Sequence, residues 1–218
     1  MEGLVLVNGT HPLQQEVRTC DLADFQGVLL RTEVIPSLKR LLETVHGETE
    51  IVAVSGYRSH AEQIALYEES LEENGKEFTE QFVAKPGCSE HETGLAIDLG
   101  LKKDVIDFIR PDFPYEGVCQ RFRQMAPYYG WIQRYTKEKQ TITHIAEEPW
   151  HFRYVGYPHA RIMDKLNWCL EEYMDYLCVR TSAEHPLYYR DYYHSYEIFF
   201  RDGCITVKQK SYETSCGY

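Results

Sequence analysis

No stretch of this 218-residue chain approaches the roughly 18–20 consecutive apolar residues of a membrane-spanning helix. A basic leader followed by an apolar run is missing too: no Lys or Arg precedes the four-residue run Leu4, Val5, Leu6 and Val7. The expectation is a cytoplasmic protein with no membrane span. Basic clusters are scarce, limited to short pairs such as Lys39-Arg40 and Lys102-Lys103. With 23 Lys+Arg against 34 Asp+Glu the net charge is −11, which speaks against nucleic acid as a partner. The seven cysteines are odd in number and scattered, with no C-x-x-C pair, so neither a disulfide framework nor a thiolate zinc site is expected. Internal repeats and low-complexity segments are absent. What is present, 43% hydrophobic and 13% aromatic residues, suits an ordinary globular core.

Apolar spacing predicts an amphipathic helix over residues 33–45 (Val34, Ile35, Leu38, Leu41, Leu42, Val45), ended by His46-Gly47. Residues 50–55 form a β-branched run closed by Gly56 and predict a buried strand. Ser59 followed by Glu62 is a capping box that opens a helix, with Asn74-Gly75 as its C-cap. Residues 94–101 predict a central strand interrupted by one carboxylate, Asp98. Burying that charge unpaired costs several kcal/mol, so it calls for a cation or donors. A helix over 118–129, a strand containing residues 152–155 and one last helix over 159–177 follow. Beyond His185-Pro186 aromatics crowd in, and residues 197–200 and 204–207 flank Asp202-Gly203, a strong hairpin signal. These features divide the chain into a main domain, 1–180, and an accessory tail, 181–218. The tail packs on the main domain or serves a partner.

Three segments carry the chemistry: residues 89–98 (Ser-Glu-His-Glu-Thr-Gly-Leu-Ala-Ile-Asp), residues 148–151 (Glu-Pro-Trp-His) and residues 56–59 (Gly-Tyr-Arg-Ser). A catalytic zinc takes three protein ligands from His and Asp/Glu and keeps a fourth position open. His91, Asp98 and His151 supply such a set, and the cation would offset the burial of Asp98. Taken singly, each histidine is more often a satisfied polar residue than a ligand. Glu148, three residues before His151, is the natural general base. Pro149 forbids a helix interior there, so presentation from a loop or strand edge is expected. Arg58 is placed to face a carbonyl oxygen that turns negative in a tetrahedral transition state, a surface arginine being the rival reading. His144 is a fallback ligand. The other histidines, His11, His46, His60, His159, His185 and His194, read as surface or capping residues, and Cys88 as an inert thiol.

S-x-H-x-x-G-x-A-x-D at 89–98, with E-P-W-H at 148–151 and G-Y-R-S at 56–59, resembles the VanY group of zinc D-Ala-D-Ala peptidases, and within it the VanXY type of vancomycin resistance. Residues 70–75, 106–115 and 150–159 share in the likeness, which spans about residues 4–177. The resemblance implies an α+β fold of the lysostaphin/D-Ala-D-Ala peptidase/hedgehog type, with zinc held on a central antiparallel sheet between flanking helices. It implies His91, Asp98 and His151 as zinc ligands, Glu148 as base and Arg58 on the oxyanion. Ser89 and Gln63 would bind substrate, and Ser55 and Tyr57 would shape its pocket. The activity implied is hydrolysis of the D-Ala-D-Ala bond, in the free dipeptide or in the muramyl pentapeptide precursor, as D,D-dipeptidase and D,D-carboxypeptidase. An L,D-carboxypeptidase acting on cell-wall tetrapeptides and a noncatalytic zinc-binding interaction module are the alternatives. One departure stands out: His144 occupies a position where glycine is expected, which predicts a different loop ahead of Glu148.

Overall fold

The computed structural model describes residues 4–211. The chain divides into two compact units, one ending at Arg161 and the next starting at Ile162, ahead of the 180/181 boundary expected from the change in composition. Among the described residues no helix is long and apolar enough to cross a membrane.

In the first unit, β1 (Leu22–Phe25) and β2 (Val28–Arg31) form a hairpin turned at Gln26 and Gly27, both with positive φ. Helix α1 (Ile35–Val45) buries Ile35, Leu38, Leu41, Leu42 and Val45, the stripe its spacing predicts. It ends where His46 adopts the left-handed conformation (φ 54°). Strand β3 (Ile51–Ser55) leads into α2 (His60–Phe82), which opens on the Ser59/Glu62 capping box. Gly75 (φ 79°, ψ 169°) interrupts α2 instead of ending it, because a second helical turn follows directly. Then come β4 (Ala96–Leu101), α3 (Gly117–Met125), β5 (Trp131–Tyr135), the single turn α4 (Gln140–Thr143) and β6 (Glu148–Tyr154).

Strands β3, β4, β6 and β5 make one antiparallel sheet in that order. Leu38, Leu41, Ile97, Leu99, Phe122, Trp131 and Phe152 join α1, α3 and the sheet into one apolar core. The register matters more for function. Ser55 pairs with Asp98, and Asp98 with His151, so the three lie in a row across β3, β4 and β6. Bulges interrupt both outer pairs at this level, between Ala53 and Ser55 and between Gln133 and Tyr135. A bulge re-aims the side chains beside it.

The expected helix over 159–177 is two helices. Helix α5 (His159–Leu166) stops at Asn167, whose φ of 51° cannot continue it, and α6 (Leu170–Arg180) starts afresh on a capping box of Cys169 and Glu172. In the second unit α6 packs on β8 (His194–Arg201), which lies between β7 (Leu187–Arg190) and β9 (Cys204–Ser211). The β8–β9 turn is Asp202-Gly203, both with positive φ, as the sequence predicts; β7 adds a third strand to that hairpin.

His159 corrects one expectation, for it is buried and not a surface residue, being 5% exposed. Burial pushes its pKa down to about 4. The unfolded chain therefore binds the proton that the folded chain refuses. This contribution to stability is complete above the ordinary histidine pKa of about 6.5 and is lost as pH falls toward 4, amounting to about 2 kcal/mol by pH 5. His159→Gln is expected to lose less melting temperature than the parent between pH 7.5 and pH 5, by about 4–8 °C at this chain length. Equal losses in thermal scans at the two pH values would show that His159 does not titrate this way.

Candidate active site

The turn of residues 89–94 sets the site. Ser89 and Glu92 cap it reciprocally, and Glu92 also accepts from Gly87 N–H and from His60 Nδ1 (2.7 Å). Gly56, after β3, approaches β2 so closely that an added Cβ would lie 2.4 Å from the Leu29 carbonyl oxygen. Only glycine fits there. Its own carbonyl accepts from His91 Nδ1 at 2.7 Å, leaving Nε2 directed at Asp98 Oδ2, 3.2 Å away. From β6, His151 brings Nδ1 to 3.0 Å from Asp98 Oδ1.

His91, Asp98 and His151 are all buried, and each offers a donor atom within 4.8 Å of the others. Two imidazoles and a carboxylate form a donor set of the kind zinc accepts, and each histidine has its second nitrogen held by an acceptor, as metal-ligating histidines do. Asp98 carries a sharper sign. Its Oδ1 is buried with no hydrogen bond of acceptable geometry, and among the described residues only the two histidines pair with it. Burial pushes this carboxyl up, but His91 and His151 outweigh burial and hold it far below the usual range. For His151, burial works downward and is overcome by Asp98 and Glu90, which raise it to about 10. A cation between these groups would meet the same demand for positive charge.

Glu148 opens β6, the strand-edge presentation expected, with Oε2 at 3.6 Å from His151 Nδ1. Burial, opposed by His151 and reinforced by Asp98 and Glu90, pushes its carboxyl up to about 8. At His144, where the resemblance leads one to expect glycine, the backbone adopts φ 59°, the left-handed conformation that favours glycine. Arg58 is not a surface arginine. Its Nη1 donates to Gln63 Oε1 (2.8 Å), its Nη2 to Ser55 Oγ (3.0 Å), and burial lowers its pKa. Gln63, on α2, is fully buried, and its Nε2 donates to the Ala84 carbonyl (2.7 Å). The Ser89 hydroxyl accepts from His91 N–H at 3.3 Å, leaving its proton available.

Of the nine residues nominated from the sequence, all but Tyr57 line one cavity of about 300 Å³. Tyr57 instead donates its backbone N–H to Leu29 O. Leu66, Phe82, Phe108, Ile109 and Ile145 also line the cavity and make an apolar wall that no motif announced. Three buried charges also went unnoticed: Glu90, Arg134 and Arg153. Each arginine is the last residue but one of its strand, Arg134 between Gln133 and Tyr135 and Arg153 between Phe152 and Tyr154, and no motif marks either as buried. The thiol of Cys88 is pushed up by burial, consistent with an inert cysteine.

A buried three-donor cluster with a carboxyl of raised pKa and a guanidinium in the same cavity is the equipment of a metal-dependent hydrolase. The chain belongs to the VanY D-alanyl-D-alanine carboxypeptidase family, which it matches over residues 27–157. It is 48% identical over 182 residues, 81% of this chain and 96% of the relative, to the bifunctional D-Ala-D-Ala dipeptidase and D-Ala-D-Ala carboxypeptidase VanXYC of Enterococcus gallinarum. In structure it is similar to the vancomycin-resistance D,D-dipeptidase VanXYg, solved in complex with a D-Ala-D-Ala phosphinate analog. That likeness has a TM-score of 0.87 and 43% identity, and covers 99% of this chain and 87% of the other. A vancomycin-resistance D,D-pentapeptidase VanY, solved in complex with Zn(II), matches with a TM-score of 0.64 and 28% identity over 79% of this chain and 98% of the other.

Proposed function

We propose that this chain is a zinc D,D-peptidase that hydrolyses the D-Ala-D-Ala bond, both in the free dipeptide and at the end of the muramyl pentapeptide precursor. The observation that carries this reading is the buried Asp98 carboxylate between His91 and His151, its Oδ1 without a hydrogen bond of acceptable geometry, in one cavity with Glu148 and Arg58. His91 Nε2, Asp98 and His151 Nδ1 would hold the zinc, which supplies Lewis acidity toward the scissile carbonyl.

The remaining work falls to the chain itself. Glu148 takes a proton from the attacking water and returns it to the nitrogen of the departing D-alanine; a carboxyl whose proton affinity is raised by burial is suited to both transfers. Arg58, steered by Gln63 and Ser55, donates to the carbonyl oxygen as it becomes negative. In this scheme Gln63 acts through Arg58, because its oxygen already accepts from Arg58 and its nitrogen donates to Ala84. Ser89 O–H donates to the terminal carboxylate of the substrate. The apolar wall receives the methyl groups and keeps bulk water away. Such a reaction removes precursors ending in D-Ala-D-Ala, which supports glycopeptide resistance and goes with a cytoplasmic location.

The test is D-alanine release by the zinc-loaded protein from free D-Ala-D-Ala and, in parallel, from UDP-linked muramyl pentapeptide. Release from both is the expected result. Release from one alone would narrow the assignment to a dipeptidase or to a carboxypeptidase, and release from neither would overturn it.

A further inference from the structure

A second cluster of buried charge adjoins the metal cluster, meeting it where Glu90 faces His151. Glu90, Arg134 and Arg153 have side chains 0%, 1% and 0% exposed. Arg134 Nε and Arg153 Nη1 both donate to the same oxygen, Glu90 Oε1, each at 2.8 Å. Arg153 is tied down further, with Nη2 on Val5 O (2.7 Å) and Nε on Tyr154 O (3.1 Å). Taking three charges out of water costs several kcal/mol per ion before their attraction is counted, and apolar residues fill such a space at least as stably. The trio leaves one oxygen over: Glu90 Oε2 faces His151 Nε2 at 3.4 Å.

The backbone explains the encounter. Glu90 directly precedes His91 on the turn of residues 90–93, whereas His151 and Arg153, two apart on β6, point to the same face of the sheet. Opposite them on β4 are Asp98 and Ala96, and the small Ala96 side chain leaves room beside Arg153.

We propose that Glu90 is a positioning residue: held by Arg134 and Arg153, its second oxygen accepts the Nε2–H of His151 and so turns Nδ1 toward Asp98 and His91. One turn then carries His91 and also sets the tautomer and ring angle of His151, which lies 60 residues further along the chain. Glu90 Oε1 already accepts from both guanidinium groups, which holds the side chain in place and leaves Oε2 as the acceptor facing His151 Nε2. A carboxylate behind a ligating histidine typically accounts for about 10–100-fold in metal affinity.

This inference rests on the zinc reading, and the experiment separates the two. The zinc dissociation constant is measured on the full chain by competition with a chromophoric chelator at fixed pH, for the parent, Glu90→Gln and Glu90→Asp. The glutamine variant keeps the shape without the charge. The aspartate variant keeps the charge beside the arginines and draws the carboxylate back from His151, so it serves if the first does not fold. About 10–100-fold weaker zinc binding per folded molecule is expected. The imidazole 15N signals of the zinc-loaded parent should show His151 as a single Nε2–H tautomer, and this signature should be lost in the variants. A purely structural role would lower melting temperature and move neither quantity. A parent that binds no zinc would overturn the zinc reading and this inference together. Zinc binding within threefold of the parent in a folded variant would overturn the role of Glu90 alone.

Discussion

Glu148→Gln is expected to keep its zinc and to lose about 10³-fold or more in kcat. Positioned proton transfer contributes about 10²–10⁴-fold, and here one carboxyl is asked to act twice, first on water and then on the leaving amine. The amide matches the carboxyl in size, so the 7%-exposed position at the head of β6 is refilled without a cavity. It accepts no proton. The check is kcat on D-Ala-D-Ala beside zinc content by elemental analysis. Full zinc occupancy with kcat within threefold of the parent would remove Glu148 from its role.

Asp98→Asn is expected to abolish turnover by a different route, through the metal. The amide keeps the shape of the side chain on β4 and its place beside His91 Nε2 and His151 Nδ1, but carries no charge. One ligand's share of a zinc-binding free energy of about 10–16 kcal/mol is on the order of 3–5 kcal/mol, or roughly 10²–10⁴-fold in affinity. The fold should survive because the amide fills the same buried volume, but the charge that pairs with His91 and His151 is lost, so the metal-free variant is expected to melt lower than the parent. The measurement is zinc affinity by chelator competition together with melting temperature in a metal-free buffer. An unchanged affinity would exclude Asp98 from the donor set. The two variants have opposite signatures: Glu148→Gln separates turnover from zinc, and Asp98→Asn loses both.

The motifs were legible because each is local. The turn of residues 89–94 carries its own caps, and the spacing from His91 to Asp98 is the distance from that turn into one strand. Asp98 betrayed itself by lying in an apolar strand, where an ionised group needs a reason. Helices α1 and α2 could be read from spacing and capping residues. The single helix drawn through 159–177 failed at Asn167, since an apolar face continuous in sequence says nothing of one residue with φ 51°. His159 was misjudged for a related cause. Polarity alone marks a residue as exposed, and only the elements packed around it reveal that it is buried.

What the sequence by itself marked out was a candidate donor set, base and arginine, together with the strand that carries Asp98, because motif spacing and strand alternation are properties of short segments. Which atoms meet was decided by the tertiary structure alone. The register that aligns Ser55, Asp98 and His151, the Gly56 carbonyl on His91, Gln63 beneath Arg58, and Glu90 clamped by Arg134 and Arg153 all join residues of different elements. Their geometry follows from strand pairing and close packing, which act between segments far apart in the chain, and no local pattern encodes a distance across the sheet.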